Sequence, residues 1–248
     1  MTSLRGKSAV IVGGSSGVGK ATVKALISEG VRVTAVARGE DRLRALEAQV
    51  SDGLATLHGD ATDPAFVERL FRELRPDLVV LTAGVTPRMD RVDEFDWESF
   101  SEAWNVDVKA AFLLVKQALT LPLPPGSIVV VVSSGAAIDG SPLSGGYAGA
   151  KRMEWFLVDY AQEVSDAKKL GICFLAVLPR PLEGTTIGTR AASAYGAMRG
   201  ITAEEFMERV GVPLDKVASA ILTALRGSVS AGTNAIALTG AGIELLTQ

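Results

Sequence analysis

A doubly wound α/β sheet, with parallel strands enclosed by helices on both faces, is the fold that this 248-residue chain predicts. Three observations carry the prediction. Short apolar, β-branched runs alternate with longer amphipathic stretches from residue 8 onward, the order that builds βαβ units. Several runs are apolar at consecutive positions, as in strands covered on both faces of a parallel sheet. The first run leads straight into a glycine-rich turn and then a helical pattern, a strand–turn–helix unit suited to a dinucleotide.

The expected strands are Ser8–Val12, Arg32–Ala37, Ala55–His58, Leu78–Thr82, Ser127–Ser133, Ile172–Leu178 and Ala235–Leu238, giving a sheet of about seven strands. Helix starts are readable between them. Asp63-Pro64 offers an N-cap followed by proline at the first helical position, opening Ala65–Leu74. Thr202-Ala203-Glu204-Glu205 has the spacing of a capping box before Phe206–Val210. No internal repeat or linker divides the chain, so residues 1–248 are expected to form one domain. The long interruption from Pro179 to Pro213 follows a strand end, where ligands bind in such sheets, and is expected to cover the substrate.

Composition excludes several functions. The formal charge of −3 is made of 25 basic and 28 acidic residues spread along the chain, with no basic stripe for nucleic acid and no polybasic cluster for a membrane. The longest uncharged stretch, Gln117 to Ile138, is broken by Pro122, Pro124, Pro125 and Gly126, so it does not read as a membrane span. Met1–Lys7 lacks the apolar region of a secretory leader, and a cytoplasmic protein is expected. The single cysteine, Cys173, lies in an apolar run and reads as a core thiol. His58 is the only histidine and no Cys/His cluster exists, so no metal site is expected. Trp97 and Trp104 have a spacing that suits packing.

Chemistry enters with the turn Gly13-Gly14-Ser15-Ser16-Gly17-Val18-Gly19. The spacing G-x-x-x-G-x-G lets backbone approach a pyrophosphate at a helix N-terminus, where N–H groups are unpaired. At the end of the second strand, Ala37 stands where NAD sites place an acid for the ribose 2′-hydroxyl, and Arg38 follows, suited to a 2′-phosphate. NADP(H) is therefore favoured, with NAD(H) open. Tyr147 and Lys151, four residues apart, share one helix face, and an ammonium there is expected to draw the phenol pKa down from about 10 toward the working pH.

In these motifs and their order the chain resembles the short-chain dehydrogenase/reductase family, in its short single-domain branch, over nearly its whole length. The resemblance implies a Rossmann-type sheet. It places the family's adenine-contacting aspartate at Asp60, its post-strand-four loop at Leu81-Thr82-Ala83-Gly84, and its helix asparagine at Asn105. The family's strand-five serine falls on Ser134, thirteen positions before the tyrosine, and Tyr147 and Lys151 complete the tetrad. The implied cofactor contacts are Gly13, Ser15, Ser16, Gly17, Val18, Gly19, Arg38, Asp60, Ala61, Ala83, Gly84, Tyr147, Lys151 and Pro179. The implied roles are Tyr147 as acid or base, Ser134 polarising a carbonyl, Lys151 holding the nicotinamide ribose, and Asn105 holding a water that links Lys151 to solvent. Val12, Leu81-Thr82 and Arg180 depart from the family pattern, Arg180 standing where a glycine is usual. The implied partner is a small carbonyl or alcohol, with a weak lean toward apolar or aromatic bodies from Ala191–Met198. The resemblance also implies a homo-oligomer, dimer or tetramer, with Ala111, Phe112, Val115, Phe156 and Val158 available for its interface or the core. A dinucleotide-binding regulator with little turnover is the competing function.

Overall fold

The computed structural model describes residues 2–50, 52–227, 233–239 and 242–246. Among these, eight strands form one sheet: β1 (Ser8–Val12), β2 (Arg32–Ala37), β3 (Leu54–His58), β4 (Leu78–Leu81), β5 (Ile128–Val132), β6 (Cys173–Pro179), β7 (Ala235–Thr239) and β8 (Gly242–Leu246). Their spatial order is β3-β2-β1-β4-β5-β6-β7-β8. All neighbours from β3 to β7 run parallel, with Val10 level with Thr34 on one side and with Val79 on the other. The order reverses between β1 and β4, which opens the crevice used for ligands in doubly wound sheets. The eighth strand is an addition to the seven expected: β8 pairs antiparallel with β7, Ile236 lying level with Leu245. Its five residues are mostly exposed, so no buried apolar run announces it.

The consecutive apolar residues have the predicted cause. In β4 and β5 every residue is buried, and successive side chains serve opposite faces. Val79, Leu81, Val129 and Val131 join one core, while Leu78, Val80, Ile128 and Val130 join the other. The helices in chain order are α1 (Gly17–Ser28), α2 (Glu40–Glu47), α3 (Pro64–Leu74), α4 (Trp97–Ala103), α5 (Lys109–Thr120), α6 (Ala136–Asp139), α7 (Gly145–Ala167), α8 (Thr186–Arg199), α9 (Ala203–Val210) and α10 (Leu214–Leu225). The first core takes Phe66 and Phe71 of α3, Leu114 of α5 and Trp155 of α7. The second takes Val23 and Leu26 of α1 and Val217 and Ile221 of α10. Burying each such large side chain contributes about 1.5–3 kcal/mol.

The readable helix ends form as their residues dictate. Asp63 accepts from the Ala65 N–H at 3.0 Å and Pro64 opens α3. Both arms of the capping box close on α9: the Glu205 N–H donates to Thr202 Oγ1 at 3.1 Å, and the Thr202 N–H to Glu205 Oε2 at 2.8 Å. Segment 179–213 is largely helical, carrying α8 and α9, so Ala191–Met198 lies within a helix. Between α4 and α5 the chain makes one π turn, Trp104–Val108, without breaking the helix. No described helix is long and apolar enough to cross a membrane.

Candidate active site

The C-terminal ends of β1, β4, β5 and β6 surround a cavity of about 920 Å³ that reaches from Arg38, Arg42 and Asp60 at one end to Tyr195 and Phe206 at the other. The glycine turn forms its floor. A side chain at Gly19 would meet the Gly13 carbonyl oxygen at 2.1 Å, so only glycine lets the turn close. Gly17 sits at φ +49°, with the Thr185 methyl 3.7 Å from where a side chain would begin. Ser16 caps α1 without a side-chain hydrogen bond, leaving first-turn amides available to an anion. Thr82, an unusual residue for this loop, braces it by donating from Oγ1 to the Val12 carbonyl at 3.0 Å.

At the first of these ends, Asp60 accepts from the Thr62 N–H at 2.8 Å and hydroxyl at 2.9 Å, which hold its carboxyl below the ordinary value. Arg38 and Ala61 line the same wall. Arg42, on the first turns of α2, lies beside them, its Nε 3.1 Å from where a side chain on Gly39 would begin. Glu40, the acid nearest the tip of β2, is engaged by Arg44 at 3.4 Å and His58 at 3.8 Å.

At the other end, Ser134 follows β5 and accepts from the Ala136 N–H at 3.2 Å, close enough to the Tyr147 hydroxyl to favour its ionised form. Tyr147 and Lys151 are both buried on α7, with Lys151 Nζ 5.5 Å from the tyrosine ring centre. Trp104 fixes the start of this helix by donating from Nε1 to the Gly146 carbonyl at 3.0 Å, the packing role its spacing suggests. Ser133 ties β5 to the same helix, donating to the Lys151 carbonyl at 2.7 Å. Ser15, Ser16, Val18, Ala83, Gly84 and Pro179 also line the cavity, as do Gly13, Gly17 and Gly19.

Asn105 does not join this group. Its side chain is on the exposed face and donates to Ser101 Oγ at 3.2 Å. The residue that reaches Lys151 is Asp107, fully buried, with Oδ2 3.0 Å from Nζ and Oδ1 accepting from the Val85 N–H at 2.8 Å. Residues two apart lie on roughly opposite helix faces, and the π turn sets which one points inward. Gly84 is required by this contact, since a side chain there would meet Asp107 Oδ2 at 2.9 Å. A second carboxylate, Glu154, lies 3.0 Å from Lys151 Nζ on the other side, also fully buried.

One ammonium thus faces two buried carboxylates. The Lys151 pKa is driven up: burial opposes its charge, but the two anions outweigh that. Burial pushes the Glu154 carboxyl up to about 7 despite Lys151. The Tyr147 phenol is also raised, the reverse of the expectation from the Tyr-x-x-x-Lys spacing. Burial is the largest cause, and Lys151 and Ser134 pull down less than burial, Asp107 and Glu154 push up. Asp107, Glu154 and Arg42 escaped sequence reasoning. The signal for Glu154 was its place three residues after Lys151, among the buried positions of α7.

Comparison with known proteins agrees with this architecture. A family model described as short chain dehydrogenase matches residues 7–195, from β1 into α8. A short chain dehydrogenase/reductase of Macrophomina phaseolina (strain MS6) is 30% identical over 151 residues, covering 56% of this chain and 86% of the relative. A short chain dehydrogenase of Pseudocercospora fijiensis (strain CIRAD86) is 35% identical over 158 residues, 60% of this chain but only 51% of the relative, so the chain spans about half of that protein's length. The crystal structure of levodione reductase superposes with a TM-score of 0.83 at 22% identity, covering 97% of this chain and 98% of the other. A structure of an actinorhodin polyketide ketoreductase variant with NADPH gives a TM-score of 0.82 at 22% identity over the same shares. At that identity the two structures speak to fold. The family model, matched across the glycine turn, Ser134, Tyr147 and Lys151, makes the chain a member of the short-chain dehydrogenase family of oxidoreductases.

Proposed function

We propose that this protein is an NADP(H)-dependent oxidoreductase acting on a small carbonyl or alcohol, with Tyr147 as proton donor in reduction and acceptor in oxidation. The observation that carries the reading is the meeting of Ser134, Tyr147 and Lys151 on the wall of the cavity whose floor is the glycine turn. The residues fit the cofactor: the turn leaves room only for backbone at Gly13 and Gly19, Asp60 and Ala61 line the end assigned to the adenosine, and Arg38 and Arg42 supply cations for a 2′-phosphate. NADP(H), when bound, supplies or accepts the hydride.

The chain's own residues do the rest. A buried phenol with a raised pKa is protonated at neutral pH, the form needed to donate to a carbonyl oxygen. Ser134, beside that hydroxyl, is placed to hydrogen-bond the same carbonyl oxygen. Lys151 steadies the phenolate left behind. Its ammonium has three donors, of which Asp107 and Glu154 occupy two, leaving one for the ribose. Segment 179–213 covers the substrate end, residues 1–248 act as one domain, and the unpaired Cys173 suits the cytoplasm.

A homo-oligomer is part of the proposal. Phe112 and Tyr160 are about half exposed on α5 and α7, and Phe156 stacks on Tyr160 with ring centres 6.0 Å apart. Ala111, Val115 and Val158 belong to the core instead. A dinucleotide-binding regulator with little turnover is the second reading, favoured by the two carboxylates that neutralise Lys151. NADPH oxidation on a panel of ketones and aldehydes tests both. Turnover supports the oxidoreductase, whereas tight NADPH binding with no turnover of any compound supports the regulator.

A further inference from the structure

We propose that the carbonyl substrate carries a carboxylate and that Arg180 receives it beside Ser134. The proposal rests on the oxidoreductase reading for the reaction, but its evidence is separate. Arg180 follows the end of β6, where its N–H donates to the Leu238 carbonyl at 3.0 Å and the neighbouring Pro179 carbonyl accepts from the Gly135 N–H at 2.8 Å. The two hydrogen bonds set the arginine against the residue after Ser134. Its Cδ lies 3.0 Å and its Nε 3.5 Å from where a side chain on Gly135 would begin, so the glycine gives the guanidinium its place at the cavity wall.

The charges around that wall point one way. Beyond the nucleotide-binding end, the charged residues lining the cavity are Lys151, Arg180, Arg199 and Arg209, and among the described residues its one acidic lining residue is Asp60 at the far end. Lys151 is already matched by Asp107 and Glu154. Arg199 lies over the Phe206 ring at 5.3 Å, while Arg180 makes no ion pair among the described residues. A guanidinium without an ion pair, on the wall of a cavity lined by further cations, recognises a carboxylate in two parallel hydrogen bonds and draws it in from solution. The same wall carries an aromatic pair: Tyr195 stacks on Phe206 with ring centres 5.8 Å apart, its hydroxyl tied to Ser141. The fitting substrate is a keto acid, or the matching hydroxy acid, with an apolar or aromatic body.

The test measures NADPH oxidation on phenylpyruvate, benzoylformate and 4-acetylbenzoate beside their methyl esters, for the wild type, Arg180→Gln and Arg180→Lys. The wild type is expected to prefer at least one acid to its ester by about ten- to hundredfold in kcat/KM, the worth of a hydrogen-bonded charge. The preference should collapse toward unity in Arg180→Gln and survive in part in Arg180→Lys. Esters used as well as acids, or a preference that Arg180→Gln leaves intact, overturns the proposal without touching the oxidoreductase reading. A rise in KM for NADPH as large as that for the acid also overturns it, since the arginine then serves a cofactor phosphate. Where no compound turns over, calorimetry of the three acids on NADPH-loaded protein decides. Binding that Arg180→Gln abolishes supports the carboxylate site while the oxidoreductase reading fails. Binding that Arg180→Gln leaves unchanged, or no binding of any acid to the wild type, overturns the site.

Discussion

Replacing Asp107 by Asn should make Tyr147 more acidic. Lys151 Nζ lies 3.0 Å from Asp107 and 5.5 Å from the Tyr147 ring centre, so the carboxylate is within about 8.5 Å of the ring. A unit charge at that distance, with an effective dielectric of about 20, contributes about 2 kcal/mol, or roughly 1.4 pH units. Asp107 raises the phenol pKa, so its removal lowers the midpoint by about one unit or slightly more. Asn keeps an oxygen to accept from the Val85 N–H, and Glu154 still pairs with Lys151, so the fold should persist. The assay is the 295 nm absorbance titration of tyrosinate, with the matching Tyr147→Phe protein subtracted to remove Tyr160 and Tyr195. Asn105→Ala is the control and should leave the midpoint in place, because that side chain touches Ser101 and not Lys151. A midpoint that stays put or rises in Asp107→Asn, or that moves in Asn105→Ala, would refute the electrostatic account of the site.

Two further outcomes follow from the same charges. Arg38→Ala should weaken NADPH by about tenfold or more while leaving NADH nearly unchanged, as a lost charge-assisted phosphate contact requires; equal losses for both in cofactor titrations would remove the case for NADP(H). Glu154→Gln should change how stability depends on pH. The folded carboxyl titrates at about 7 against an unfolded value near 4.5, so the wild type loses stability as pH rises through that window. The loss amounts to about 3 kcal/mol, which glutamine does not suffer, so urea midpoints of the two proteins should diverge from pH 5 to pH 8 in favour of the variant. Parallel curves would show that Glu154 is not a strained buried acid.

How much of this was legible in the sequence varied with the physics of each part. The strands of the parallel sheet announce themselves because residues buried on both faces must be apolar in succession, as Ile128–Val132 is. β8 carries no such run, since its exposed edge position asks little of its side chains. Helix starts at Asp63 and Thr202 were readable because one side chain satisfies a local amide. That Asp107 and not Asn105 faces Lys151 was not, because it depends on the phase of a helix that passes through a π turn, and the family resemblance pointed to the asparagine. The direction of the tyrosine shift was likewise hidden: spacing shows Lys151 beside Tyr147, but not the burial or the two carboxylates drawn from α7 and the π turn. The apolar lean from Ala191–Met198 missed Arg180, Arg199 and Arg209, which only the folded segment brings to one cavity.

The central claim is that Tyr147 moves the proton. Its most direct test is the rate of NADPH oxidation at saturating cofactor by Tyr147→Phe on a carbonyl compound the wild type reduces. Phenylalanine keeps the ring against α4 and the core but has no proton to give. The account predicts a fall in kcat of about 10²- to 10⁴-fold with cofactor binding retained. A variant that turns over at the wild-type rate would contradict it.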